Sequence, residues 1–156
     1  ESKIDNFVFN IIGSGPCESA LRSLVSELGM ESKVNFLGRM SRENVMSYYN
    51  KAHFFVMVSR DEAFGLVYLE AMCAGCIPIA AKDEGVDGIV RDGQNGFLIN
   101  SGEEGELIHL FSYISELGNN KLINISFNAR TTSENMSDNK VAKKYLEGVI
   151  KDTSRS

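Results

Sequence analysis

Residues His53–Ala81 read HFFVMVSRDEAFGLVYLEAMCAGCIPIAA, and this stretch decides the fold. His53–Val58 is nearly all apolar, the composition expected of a strand buried on both faces of a sheet. Gly65–Ala74 reads as a helix, and Cys76–Ala81 as the next short strand. Two strands joined by a helical crossover lie parallel, so the stretch is a βαβ unit.

The chain on either side repeats the alternation. Asn6–Ile12 (NFVFNII) is a β-branched and aromatic run halted by Gly13-Ser14-Gly15-Pro16, a strand running into a turn. Glu18–Leu28 sets Leu21, Leu24, Val25 and Leu28 at helical spacing, with Gly29 placed as a C-terminal cap. Lys33–Leu37 is a further strand, ended by Gly38, and Ser41 with Glu43 opens a helix through Val45, Tyr48 and Tyr49. Downstream, a loop rich in Asp and Gly leads to the short strand Gly96–Ile99. From Gly102 the pattern turns helical: Leu107, Phe111 and Ile114 mark one helix, and Leu122, Ile125 and Ala129 a second. Val141, Tyr145 and Val149, flanked by Ala142, Leu146 and Ile150, mark a terminal helix. This alternation predicts an α/β domain, a doubly wound parallel sheet with helices on both faces. Ligands then belong at the carboxyl ends of the strands, here Gly13–Pro16, Gly38–Met40, Ser59–Gly65 and Lys82–Gly85.

Composition narrows the function without identifying it. A chain of 156 residues suffices for one domain with a real core, and 1–156 reads as a single unit whose part 102–151 is helical. A net charge of -5 with no Lys/Arg-rich run lacks the phosphate-neutralising surface of a nucleic-acid binder. No apolar run is long enough to span a bilayer, and nothing resembles a signal peptide. Three cysteines argue against a disulfide framework and for a reducing compartment, so a cytoplasmic location is expected. A first residue of Glu1 with a strand close behind suggests a piece of a longer polypeptide.

Within Ala63–Ala81, Glu70 is the one charged residue. A carboxylate buried without a partner costs several kcal/mol, so Glu70 needs either a counter-ion from elsewhere in the chain or a ligand. Glu62 stands eight residues before Glu70, a Glu-x7-Glu spacing, just ahead of the helix. Between the two acids, the backbone N–H groups of Phe64, Gly65 and Leu66 lie at a helix N-terminus, a setting suited to phosphate. Glu70 lies about 7.5 Å further along the axis, at 1.5 Å per residue. Two carboxylates flanking an anion site suit a ligand with hydroxyls at both ends and negative charge between them, as in a nucleotide sugar. The competing reading makes Glu62 a helix-start acid and pairs Glu70 with a distant lysine or arginine.

Other features carry less. Gly13-Ser14-Gly15 follows a strand, but position 18 is Glu18 where a dinucleotide fingerprint needs glycine, so a tight turn is the simpler account. Cys73-Ala74-Gly75-Cys76 is a C-x-x-C at the C-terminal end of a helix, where the dipole has the wrong sign to favour a thiolate. His53 and His109, the two histidines, read as structural, and no D-x-D pair is present to hold a metal on a diphosphate.

Ser59–Ala80 (SRDEAFGLVYLEAMCAGCIPIA) resembles the signature segment of the C-terminal, donor-binding domain of retaining GT-B glycosyltransferases of the family 4 type. Ile11–Pro16 (IIGSGP), Val34–Arg39 (VNFLGR), Arg91–Ile99 (RDGQNGFLI) and Ala129–Tyr145 fit as well, so the resemblance covers about the whole chain. It implies a Rossmann-like domain forming the C-terminal half of a GT-B architecture. It implies that Glu62 contacts hydroxyls of the transferred sugar in a catalytic role, and that the backbone at Phe64, Gly65 and Leu66 holds sugar and diphosphate. Glu70 would bind the ribose diol, and Gly38, Arg39 and Met40 would lie against the base, with Gly13 and Gly15 lining the cleft. The implied substrate is a nucleoside diphosphate sugar, with no metal or other cofactor, and the implied setting is polysaccharide or glycolipid biosynthesis. The implied partner is an N-terminal acceptor domain of the same polypeptide, and peripheral membrane association suits the full enzyme.

Two departures stand out. The loop after the fifth family strand usually carries paired glycines and a glutamate, whereas this chain reads Glu84-Gly85-Val86-Asp87-Gly88. Members resembling it also carry an Arg and a Lys on an earlier strand–helix unit, which lies ahead of Glu1; the chain alone is therefore expected to transfer little or no sugar. Three other readings stay open: a non-catalytic nucleotide-binding or interaction module of the same fold, a thiol oxidoreductase built on the C-x-x-C, and a nucleotide-sugar epimerase.

Overall fold

The computed structural model describes residues 6–60, 65–86 and 88–136. Among these residues ten elements follow one another: β1 (Phe9–Ile12), α1 (Glu18–Glu27), β2 (Val34–Gly38), α2 (Arg42–Tyr49), β3 (Phe54–Met57), α3 (Leu66–Cys73), β4 (Ile77–Ala81), β5 (Phe97–Ile99), α4 (Glu104–Glu116) and α5 (Asn119–Asn135). The terminal helix expected around Val141–Val149 lies outside the described residues.

All strand pairs are parallel, as the βαβ pattern requires. β1 pairs with β2, with Phe9 opposite Val34 and Ile12 opposite Gly38. The other sheet has the order β3-β4-β5, with Phe54 opposite Ile77 and Ile79 opposite Phe97. Among the described residues no strand joins β1 to β3, so there are two parallel sheets where the sequence predicts one.

Period-two alternation assigns side chains of the three-stranded sheet to two cores. Ile77, Ile79, Phe97 and Ile99 pack with Ile114 of α4 and Ile125 of α5 on one face. Ala80, with Phe55, Met57 and Leu98 against it, packs with Tyr68 and Met72 of α3 and Ala129 of α5 on the other. Helices therefore cover both faces, as expected. β4 is buried along its whole length.

His53–Val58 was expected to be the strand buried on both faces, and this is corrected: every residue of β3 is only half-buried. Among the described residues β3 is an edge strand of its sheet, and an apolar sequence alone does not distinguish edge from centre.

Pro78, the second residue of central β4, lacks a donor for the ladder, which normally argues against a place in a central strand. Ile77 N donates to His53 O on the β3 side, and Lys82 N donates to Ile99 O on the β5 side. The alternation aims position 78 toward β5 at a level before Phe97, where the ladder has not begun. The proline removes no strand bond. Just there the chain makes a turn held by Asn95, whose Oδ1 accepts from Arg91 N at 2.6 Å and whose Nδ2 donates to Ile89 O at 2.9 Å and Thr132 Oγ1 at 3.0 Å.

α1 ends as its glycine predicts. Gly29 has φ +62°, its N–H bonds Ser26 O, and Met30 N reaches back to Val25 O, the paired bonds of a Schellman cap. Its apolar stripe is another matter. Leu21, Leu24 and Leu28 are exposed, and no residue of α1 is buried.

Candidate functional site

The carboxyl ends of β1 and β2 are tied together. Gly13 N donates to Gly38 O at 2.8 Å, and Arg39 Nε donates to Ser14 Oγ at 2.9 Å. Gly13, Gly15, Gly38, Arg39 and Met40 thus form one loop cluster at one end of this sheet. The next turn opens α2, where Ser41 Oγ accepts from Asn44 N at 3.4 Å as an N-cap.

At the carboxyl end of β3, Glu62 and Phe64 lie outside the described residues. Gly65 stands at the N-cap of α3 with φ +55° and ψ +32°, a left-handed conformation. A Cβ there would sit 2.5 Å from Val86 Cγ1 and 3.0 Å from Tyr68 Cδ2, so both backbone and packing demand glycine. Tyr68 N makes the first helical bond, to Gly65 O at 2.9 Å, which leaves the N–H groups of Leu66 and Val67 ahead of the ladder. Leu66 and Val67 are both exposed residues. The Tyr68 hydroxyl donates to Met57 O and pins α3 to the end of β3.

Glu70 has a counter-ion. Arg42 Nε, on the first residue of α2, donates to Glu70 Oε1 at 2.7 Å. The Glu70 side chain is 26% exposed and that of Arg42 79%, so the pair sits at the surface and the carboxylate is reachable. The Glu70 charge is also felt by Tyr49, whose phenol is pushed above its ordinary value first by burial and then by that carboxylate. Glu70 is thereby brought beside the start of α2, which follows the Gly38–Met40 turn, with Arg42 as the link. Sequence reading missed Arg42. A cation at the first position of a helix, against the dipole, is the one signal that marked it.

Two further cations, Arg60 and Lys82, follow β3 and β4. Arg60 reaches Ser101, Nε to Oγ at 3.4 Å and Nη2 to O at 3.3 Å, while Ser101 Oγ donates to Val58 O at 3.0 Å. Lys82 lies near Glu106, whose carboxyl is held below its ordinary value mainly by accepting from the backbone and side chain of Asn100, with Lys82 the smallest contributor.

The C-x-x-C begins on the last residue of α3, at the helix end where the dipole does not favour a thiolate. Cys73 is exposed, whereas Cys76 is buried, with its Sγ 3.2 Å from Tyr49 O. Burial pushes the Cys76 thiol up to about 11. A reactive thiolate needs the opposite shift. Among the described residues no group of three or more His, Cys, Asp or Glu is arranged to hold a metal ion. A cavity of about 430 Å³ between α1 and β2, lined by Arg22, Glu31 and Phe36 among others, shares no residue with the site.

A family model described as Glycosyl transferases group 1 matches residues 1–132. Among curated relatives, the α-monoglucosyldiacylglycerol synthase of Acholeplasma laidlawii is 36% identical over 107 residues, 67% of this chain and 27% of that protein. The chain therefore spans about a quarter of that relative's length. Among solved structures, Anabaena HepE in complex with UDP-glucose matches with a TM-score of 0.77 at 26% identity, over 93% of this chain and 41% of that one. The C-terminal domain of the group 1 protein LpcC from Francisella tularensis matches with a TM-score of 0.77 at 23% identity, over 86% of this chain and 71% of that one. This last likeness speaks for the fold alone.

Proposed function

Since the chain belongs to the glycosyl transferases group 1 family, we propose that it binds the nucleoside diphosphate sugar of a glycosyltransferase that passes the sugar, with retention, to a hydroxyl acceptor. The observation that carries this reading is the meeting of three features at the strand ends. The N-terminal amides of α3 and the Glu70 carboxylate lie on one helix, and the 2.7 Å Arg42–Glu70 bond ties that helix to the start of α2, just after the Gly38–Met40 turn. A helix N-terminus suits the diphosphate, a carboxylate suits a vicinal diol, and an exposed turn beside them suits a flat base. The UDP-glucose carried by HepE is a ligand of this kind.

In this reading Glu62 orients the transferred sugar, and the leaving diphosphate is stabilised electrostatically by the α3 N-terminus, with no metal required. Cations on a preceding strand–helix unit complete that stabilisation. The doubly wound order 3-2-1-4-5-6 is compatible with such a unit, because a two-stranded β1/β2 sheet and a three-stranded β3-β4-β5 sheet are the pieces that order would leave without its strand 1. An acceptor domain of the same polypeptide, a cytoplasmic location and a role in polysaccharide or glycolipid synthesis belong to the same proposal.

Titration of the chain with uridine, guanosine and adenosine diphosphates and their common sugars tests it. One of these should bind, and Glu70→Gln should weaken that binding by about 1–3 kcal/mol through loss of charge-assisted bonds. An unchanged dissociation constant with a large loss of stability would reduce Glu70 to an ion-pair partner.

A further inference from the structure

We infer that Arg42 is a positioning residue for nucleoside recognition, acting through Glu70; this rests on the donor-binding reading of the site. Arg42 occupies the first position of α2, where the helix dipole disfavours a cation, and Glu70 supplies the opposing charge. The contact is single: Nε alone meets Oε1, and Glu70 Oε2 has no hydrogen-bond partner among the described residues. A carboxylate offers about four acceptor sites, and a vicinal diol needs two. Arg42 therefore fixes the carboxylate without filling it. It is a support, not a plug.

The placement adds a second reason. Arg39, three residues earlier, holds Ser14 of the β1 loop, so the β2–α2 turn grips β1 on one side and α3 on the other. The two sheets share no ladder. The packing of Val45, Met46 and Tyr49 of α2 against Ala71 and Cys76 seats α2 beside α3, and within that seating the Arg42–Glu70 bond orients the Glu70 carboxylate relative to the Gly38–Met40 turn. With 79% of its side chain exposed, Arg42 can be replaced without opening a cavity.

The test measures binding of uridine, guanosine and adenosine diphosphates, each beside its 3′-deoxy counterpart, to the chain and to Arg42→Lys, Arg42→Gln and Glu70→Gln. Arg42→Gln should weaken the ribonucleotide about two- to fivefold, the scale of an exposed ion pair, and lower the preference over the 3′-deoxy form. Arg42→Lys should recover part of that preference, and Arg42→Gln should add nothing in a Glu70→Gln background. Tighter binding by Arg42→Gln would make Arg42 a plug and overturn the inference. Equal losses for both nucleotides would make it a direct phosphate or base contact and also overturn it, as would no change at all. Failure of the unaltered chain to bind any of the three nucleotides would instead overturn the donor-binding reading, and this inference with it.

Discussion

The β1–α1–β2 unit and the β3–α3–β4–β5 unit obey the same sequence rules but reach different states of completion. Both have parallel strands, an intervening helix and a glycine-bearing turn at the carboxyl end. In the second unit, β4 is buried along its length and two cores fill both faces of the sheet. In the first, α1 buries no residue, and Phe9, Leu24 and Leu28 stay exposed. Apolar periodicity therefore states which face a segment is able to bury. Whether anything covers that face depends on neighbours that the segment does not encode.

Substitution can sharpen the contrast. Ile79→Ala, at a site with no exposure, should destabilise the chain by about 2–5 kcal/mol, whereas Leu24→Ala, on the bare stripe of α1, should stay within about 0.5 kcal/mol. Urea unfolding midpoints report both, and equal effects would erase the distinction between the units. The glycines offer a matched pair. Gly29 and Gly65 share nearly the same positive φ, but a Cβ at Gly29 meets nothing within 4 Å while one at Gly65 strikes Val86. Gly29→Ala should cost about 1 kcal/mol of conformational strain, and Gly65→Ala about 3 kcal/mol once overpacking is added.

Thiol labelling gives the smallest effect. Cys17 and Cys73 are exposed and should react with a maleimide in the folded chain, whereas Cys76 should react only on unfolding. Because the folded Cys76 holds its proton more tightly, its contribution to stability is full below about 9. That contribution declines as pH rises toward about 11, since the unfolded thiol ionises first. Melting temperatures across this range, compared with Cys76→Ala, would reveal the slope.

Most of the architecture was legible because it rests on local signals. Gly29, Gly38 and Gly65 mark ends of elements where the sequence places them, and the strands fall within the apolar runs that predict them. The half-burial of β3 was not legible, because edge and centre differ only in what pairs alongside. The loops of the site could be read from strand ends. The partner of Glu70 could not: Arg42 lies 28 residues away, and only the packing of α2 beside α3 brings them together.

The break between β1 and β3 has a consequence for the chain in solution. Each of these strands shows one side with no ladder partner among the described residues, and β3 adds a run of half-buried aromatic and aliphatic side chains. Such an edge accepts any extended segment that reaches it, including the same edge of another copy. Among the described residues, each sheet keeps an unfilled bonding edge at this break. Self-association that rises with concentration would then report that vacancy, and a single added strand pairing with both edges would satisfy it.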